Sequence, residues 1–411
     1  MLLFLACVPQ GSLVLEAEDP PVTDSGGVED LPGTDDSEDS GKDDDNDDKP
    51  EPGSDEDLWD CADLFEQDRL PVYHITLDHA VWRELEREFA AHDGTKGYHP
   101  VESFEVDGES IGGVSIRLKG NEGYSWVGTK MQFVVSFVEE DEDQRFHGQR
   151  HVAFDATWYD HTLLNNRTAT RFLRRMDLPA PCANNALLYL DGEYYGIYAH
   201  MEEPDREYLE RNFGDENADG NLYKYGYELK NNEGADTTRI QQFWSSYAFE
   251  DFSKYGDPAQ WVKEWASEAT MPDWDGYWIS GHNYFLYDHP EKGLMYIAWD
   301  LDATFAYYAA PTYDPFGVYW SSVPHESSVL SEPDYERQFI QEIADFAAKF
   351  PAETMDEEVA AWDEEIRPWL EADPNKYYSM AEHDAAVALT RQGFYERRDF
   401  LLAWSEYNLS H

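Results

Sequence analysis

The sequence predicts an α+β fold, a two-lobed protein-kinase-like body with a strand-rich N-terminal half and a helical C-terminal half. Three observations lead there. Alternating apolar and polar residues, the period-two mark of half-buried strands, crowd the stretch between residues 72 and 199. Apolar residues spaced three and four apart dominate from Thr237 onward. A chain of 411 residues with 15% aromatic content can bury a large core. Strands followed by helices point to segregated layers with a cleft between the halves, and no internal repeat is visible.

The chain divides into three parts. Residues 1–10 read as a truncated lipoprotein signal: Phe4-Leu5-Ala6-Cys7 resembles a bacterial lipoprotein box with an acylated cysteine, although the usual basic region is missing. Residues 11–57 are Asp, Glu, Ser, Gly and Pro with almost no aromatic side chain, and too little apolar area to offset the entropy of ordering. That composition predicts a disordered acidic tether, so the expected location is outside the cell, lipid-anchored through Cys7 to the bacterial envelope. The run Asp43–Asp48 lacks the glycine turn and terminal bidentate acid that organise a calcium loop. The folded domain spans residues 58–411.

Within that domain residues 72–77 alternate as a strand, and Asp78 caps a helix over 79–92 that carries Val81, Trp82, Leu85 and Phe89 on one face. A hairpin over 104–111 and strands over 114–119 and 133–138 follow. Gly108-Glu109-Ser110-Ile111-Gly112 matches the serine-hydrolase pattern G-x-S-x-G, but another strand follows where that chemistry needs a strand-to-helix elbow, so the match is rejected. Residues 163–176 read as a helix whose Arg167, Arg171, Arg174 and Arg175 find abundant acids to pair with. Residues 186–199 form the clearest hairpin, around Asp191-Gly192, and a helix over 206–213 follows. Asp215–Gly220 begins like an EF-hand loop, yet Gly226 stands where the twelfth position needs Glu; His147 and His151 lack a third zinc ligand. Helices are expected over 237–249, 258–267, 335–350, 355–372 and 383–407.

Charge excludes some functions. The 86 acidic residues against 30 basic ones give a net charge of -56, which repels nucleic acid and anionic membrane surfaces. So acidic a surface reads as an adaptation for solubility or high salt, or else as an acidic binding face. Of three cysteines, Cys61 and Cys182 form either a disulfide in an oxidising compartment or two buried thiols.

Residues 271–306 hold the acids that do not behave like solubilising ones. Asp275, Asp300 and Asp302 lie among Trp274, Tyr277, Trp278, Ile297, Trp299, Leu301 and Phe305. A carboxylate in apolar company must be paired, hydrogen-bonded or metal-bound. Between them, an aromatic-rich run over 284–287, the turn His289-Pro290-Glu291-Lys292-Gly293 and a strand over 294–299 fold the second acid pair back toward the first.

The order and spacing of several short motifs resemble one family. They are Arg117-Leu118-Lys119-Gly120-Asn121, Leu163-Leu164-Asn165-Asn166-Arg167, Leu178-Pro179-Ala180-Pro181, Leu190-Asp191-Gly192-Glu193-Tyr194-Tyr195-Gly196, Glu202 with Asp205, Gly220-Asn221-Leu222-Tyr223-Lys224, Trp274-Asp275-Gly276-Tyr277, His282-Asn283-Tyr284 and Trp299-Asp300-Leu301-Asp302. Over roughly residues 72–404 the chain resembles the CotH kinases, named for spore coat protein H, which are atypical protein kinases. The resemblance implies transfer of the ATP γ-phosphate to protein Ser or Thr with Mg2+ or Mn2+. It makes Asp275 the catalytic aspartate that orients or deprotonates the acceptor hydroxyl, and Asn283, Asp300 and Asp302 the metal ligands. Lys130 resembles the phosphate-binding lysine, with Lys119 its rival; Glu202 resembles the acid that positions a lysine, and Arg167 completes the expected ATP-binding set. The family lacks G-x-G-x-x-G and H-R-D signatures, as does this chain; Pro204 and Asp155-Ala156 depart from the family's pattern. ATP is scarce outside a cell, so the alternative is a non-catalytic cell-surface binding protein that keeps the fold.

Overall fold

In the computed structural model, the described residues are 61–123, 125–156, 158–245, 248–305, 309–317 and 324–411. The expected signal with Cys7 and the expected tether over 11–57 lie outside them.

A nine-stranded sheet is built from β1 (Val72–Thr76), β2 (His99–Pro100), β3 (Ser103–Val106), β4 (Glu109–Ser110), β5 (Ser115–Leu118), β6 (Phe133–Ser136), β7 (His151–Asp155), β8 (Ala183–Leu190) and β9 (Glu193–Glu202). Their spatial order is β2-β5-β6-β7-β9-β8-β1-β3-β4. β1 and β8 run parallel and the other neighbours antiparallel. The β8–β9 hairpin turns on Asp191 and Gly192, both left-handed (φ 52° and 84°), as a two-residue turn that follows strand twist requires. Two helices join these strands: α1 (His79–Ala91), whose cap Asp78 accepts from Ala80 N at 2.6 Å, and α2 (Asn165–Arg175).

Alternation along these strands serves two cores. Leu188 and Tyr198 pack with Tyr73, Phe104, Phe133 and Leu85 of α1 on one face. Leu187 and Ile197, one residue away, face Phe172, Trp261 and Phe394 of the helical half. Each fully buried Leu, Phe or Ile contributes about 1.5–3 kcal/mol. After α3 (Arg206–Phe213) comes a four-stranded antiparallel sheet of β10 (Leu222–Lys224), β11 (Glu228–Leu229), β12 (Tyr284–His289) and β13 (Gly293–Ala298), ordered β11-β10-β12-β13. A third apolar set, including Val134, Met201, Leu209, Phe285 and Trp299, joins α3 and this smaller sheet to the larger one.

The helical half comprises α4 (Thr238–Trp244), α5 (Phe249–Phe252), α6 (Pro258–Thr270), α7 (Tyr277–Ser280), α8 (Pro324–Leu330), α9 (Pro333–Lys349), α10 (Ala352–Ala372) and α11 (Met380–Ser410). The helix expected over 237–249 is two pieces. Ser245 ends the first, its hydroxyl turned back onto Gln242 O at 2.9 Å, a local bond that competes with helix propagation. α11 starts earlier than expected because Ser379 and Glu382 close a capping box. Cys61 and Cys182 form a disulfide that ties the start of the described chain to the edge of β8. No helix among the described residues is long and apolar enough to cross a membrane.

Candidate active site

Lys119 follows β5 by one residue, and its backbone N–H bonds Gln132 O at 2.8 Å. The next residue, Gly120, has φ 92°, and a Cβ there would lie 2.7 Å from Ser125 Cβ, so the glycine lets the chain turn away from the lysine. Buried Lys119 Nζ donates to Asp155 Oδ2, at the end of β7, at 2.5 Å and to both oxygens of Asp300 at 3.2 Å. Asp300 stands two residues beyond β13 in the left-handed region (φ 59°), a conformation that aims its carboxylate and costs backbone energy. Asp302 sits in the 3-10 turn Leu301–Ala303, and carboxylate oxygens of Asp155, Asp300 and Asp302 lie within 4.8 Å of one another.

The N-terminus of α2 holds this turn. Asn166 Oδ1 accepts from Leu301 N at 2.8 Å, and Asn165 Nδ2 donates to Asp302 O at 2.9 Å and Thr304 O at 3.1 Å. On the other side, Asp275 accepts from Asn283 Nδ2 at 3.0 Å and contacts His282 Nδ1 at 3.2 Å. Backbone bonds join the two acidic segments: Trp299 N to Asn283 O at 3.1 Å and Trp274 N to Ala303 O at 3.2 Å. The β12–β13 hairpin thus brings Asp275 and Asp300 together. Tyr159 reports the same neighbourhood, its phenol pushed up by burial and by Asp302, Asp300, Asp275 and Asp155. Behind the Asp275 loop, Glu268 accepts from Trp278 N at 2.7 Å and from the Tyr296 hydroxyl, which fixes the start of α7. A Cβ at Gly276 would meet Asp273 Oδ2 at 2.4 Å, so this position needs glycine.

Electrostatics follow from burial. Burial pushes the Asp155 carboxyl up to about 7, against the pull of Lys119. Burial would raise Asp300 as well, but Lys119 holds it below its ordinary value. Burial alone would lower the Lys119 ammonium; Asp155 and Asp300 together keep it above its usual range.

Of the expected site residues, the structure brings together Lys119, Asp275, Asn283, Asp300 and Asp302. Three others go elsewhere. Lys130 Nζ donates to Asp373 Oδ2 and to Ile197 O, each at 2.6 Å. Arg167 donates to Gln67 O at 2.6 Å, pairs with Glu365 at 3.2 Å and lies over the Trp362 ring. Glu202 is gripped by Arg211 at 2.5 and 2.6 Å and accepts from Cys182 N at 2.9 Å. The acid among the site's cations is instead Glu203, 3.8 Å from both Arg117 and Lys224; burial opposes its ionisation, but Lys224 and Arg117 hold it down at about 2. One residue changes the face at a strand end, and the sequence offers Glu202-Glu203 without marking which side is which. The sequence marks Asp155, at the end of β7, only as a departure from the family's pattern.

The donor set suits a hard divalent cation. Three carboxylates offer only oxygen, and Asp155 Oδ1 is buried without a hydrogen-bond partner. Residues 116–263 and 245–409 match the family model described as CotH kinase protein. The inner spore coat protein H of Bacillus subtilis (strain 168) is 22% identical over 357 residues, covering 77% of this chain and 92% of that protein. With most of its length matched, and with the motif residues of β5, α2 and the β12–β13 hairpin converging on one carboxylate cluster, the chain belongs to the CotH kinase protein family.

Proposed function

We propose that this protein is a metal-dependent atypical kinase that transfers the γ-phosphate of ATP to Ser or Thr of a protein substrate. The observation that carries the reading is the convergence of Lys119 with Asp155, Asp300 and Asp302, beside the Asp275–Asn283 pair. Asp300, Asp302 and Asn283, joined by Asp155, would hold Mg2+ or Mn2+. When bound, the metal neutralises charge on the phosphates, which phosphoryl transfer needs more than covalent help from the protein. Lys119 binds phosphate oxygens. Asp275, with its side chain 39% exposed, is open to an incoming hydroxyl, which it orients and whose proton it accepts as the new phosphorus–oxygen bond forms and the bond from the γ-phosphorus to the departing ADP breaks. Asn283 fixes one oxygen of Asp275 and leaves the other for that hydroxyl and His282.

The chain is exported in this reading, with Cys7 as its lipid anchor. The disulfide supports an oxidising compartment, and the relative's name places that protein in a spore coat. A second reading, a non-catalytic cell-surface binding protein, is favoured by one observation: Lys119 is already bonded to two carboxylates. γ-Labelled ATP with Mn2+ separates the two. The kinase incorporates label on Ser or Thr, and Asp300→Ala abolishes it. Wild-type protein that takes up no label and shows no thermal shift with nucleotide sinks the kinase and leaves the binder.

A further inference from the structure

A bound triphosphate carries more charge than one lysine can meet, and Lys119 is shared between two carboxylates while Lys130 and Arg167 are engaged away from the cluster. Lys224 is a further cation beside the cluster. Lys224 ends β10, next to β12 in the smaller sheet, and its register partner is Phe285. Its side chain is only 20% exposed and lies over the rings of Phe285 and Trp299, at 5.6 and 5.7 Å from their centroids; Trp299 immediately precedes Asp300. Its nearest carboxylate, Glu203, is 3.8 Å away, beyond hydrogen-bond distance, and faces Arg117 at the same 3.8 Å. Among the described residues Lys224 donates no side-chain hydrogen bond.

Two cations thus face one carboxylate in a largely buried place, in a chain of net charge -56. Keeping a cation from water without a close partner is unfavourable unless an anion arrives. Lys119 and Asp300 are among the charges that act on Lys224, so the surplus lies beside the carboxylate cluster. We infer that Lys224 is the second cation of the nucleotide site and donates to phosphate oxygens of ATP, with Glu203 holding it in place, an inference that rests on the nucleotide reading above. Its three N–H groups and flexible stem suit a phosphate chain.

Equilibrium binding of ATP with Mn2+, and of adenosine, to the full chain tests this. Lys224→Met should weaken ATP about ten- to a hundredfold, the usual range for a lost charged hydrogen bond, and leave adenosine within about twofold. Lys224→Arg should recover most of the ATP affinity. If Lys224→Met melts well below wild type, Lys224→Gln carries the same two-ligand comparison. Unchanged ATP affinity, or equal loss of ATP and adenosine, overturns the assignment and leaves the kinase reading intact. Wild-type protein that binds no ATP overturns both.

Discussion

Glu264 and Glu268 lie buried in α6, behind the loop that carries Asp275, and their chemistry sets a pH dependence. Burial lifts Glu264 from 4.5 to about 8, against the pull of Lys263 and Gln260 and with the help of neighbouring Glu268. A carboxyl whose folded pKa lies above its unfolded value adds stability that is complete below the unfolded value and is lost as pH climbs through the folded one. The window for Glu264 therefore runs from about pH 4.5 to about 8, and within it the wild type loses up to about 1.4 kcal/mol per pH unit through this group. Glu264→Gln keeps the acceptor for Gln260 Nε2, at 3.2 Å in the wild type, and removes the titration. The variant should melt above wild type at pH 8, with the gap closing toward pH 5; parallel melting curves across that range refute the argument. Individual residues were legible where motif and chemistry agreed, as at Asp275, Asp300 and Asp302. They were not where two like residues compete: Lys119 reaches Asp300 while Lys130 bonds Asp373, and Glu203 lies near Lys224 while Glu202 pairs with Arg211, contacts set by the fold that no local pattern marks.

At the scale of elements, local signals worked where they carry their own geometry. Asp78 caps α1, Asp191-Gly192 turns the β8–β9 hairpin, and the Gly108 motif falls in the β3–β4 hairpin rather than in an elbow. β7 and β10 escape a local reading because their partners are distant in the sequence, β7 finding β9 and β10 finding β12, while β11 is a two-residue strand that pairs with the adjacent β10 and is too short to show alternation. The disulfide belongs to the same class, since Cys61 and Cys182 are 121 residues apart. That separation predicts its effect. Closing so long a loop removes entropy from the unfolded chain worth about 4–5 kcal/mol in the loop-entropy account, and observed gains are typically about 2–4 kcal/mol. Replacing both cysteines by serine should lower the urea unfolding free energy by about 3 kcal/mol and steepen the slope, because the chain without the cross-link unfolds to a more expanded state. Equal midpoints for the oxidised wild type and the double variant contradict this.

For the whole molecule, composition and fold make a joint prediction about salt. Part of the net charge of -56 belongs to residues 11–57, but acids still far outnumber bases in the folded domain, and they repel one another across its surface. The ion pairs that oppose this repulsion fall into two groups. Exposed pairs such as Arg87–Glu84 and Arg206–Glu210 are each worth about 0–1 kcal/mol, and salt weakens them. Buried pairs such as Lys130–Asp373 and Arg211–Glu202 are shielded from solvent ions and keep their strength. Raising the ionic strength from 0.1 to 1 M shortens the screening length from about 10 Å to about 3 Å, which removes long-range repulsion first. Repulsion among many uncompensated acids then outweighs the few exposed pairs lost. The melting temperature should rise by several degrees from 0.1 to 1 M KCl, followed by near-ultraviolet circular dichroism so that core aromatics such as Trp261 and Trp265 report the loss of packing. A fall over that range would mean that exposed ion pairs, rather than the buried ones and the apolar cores, hold the domain together.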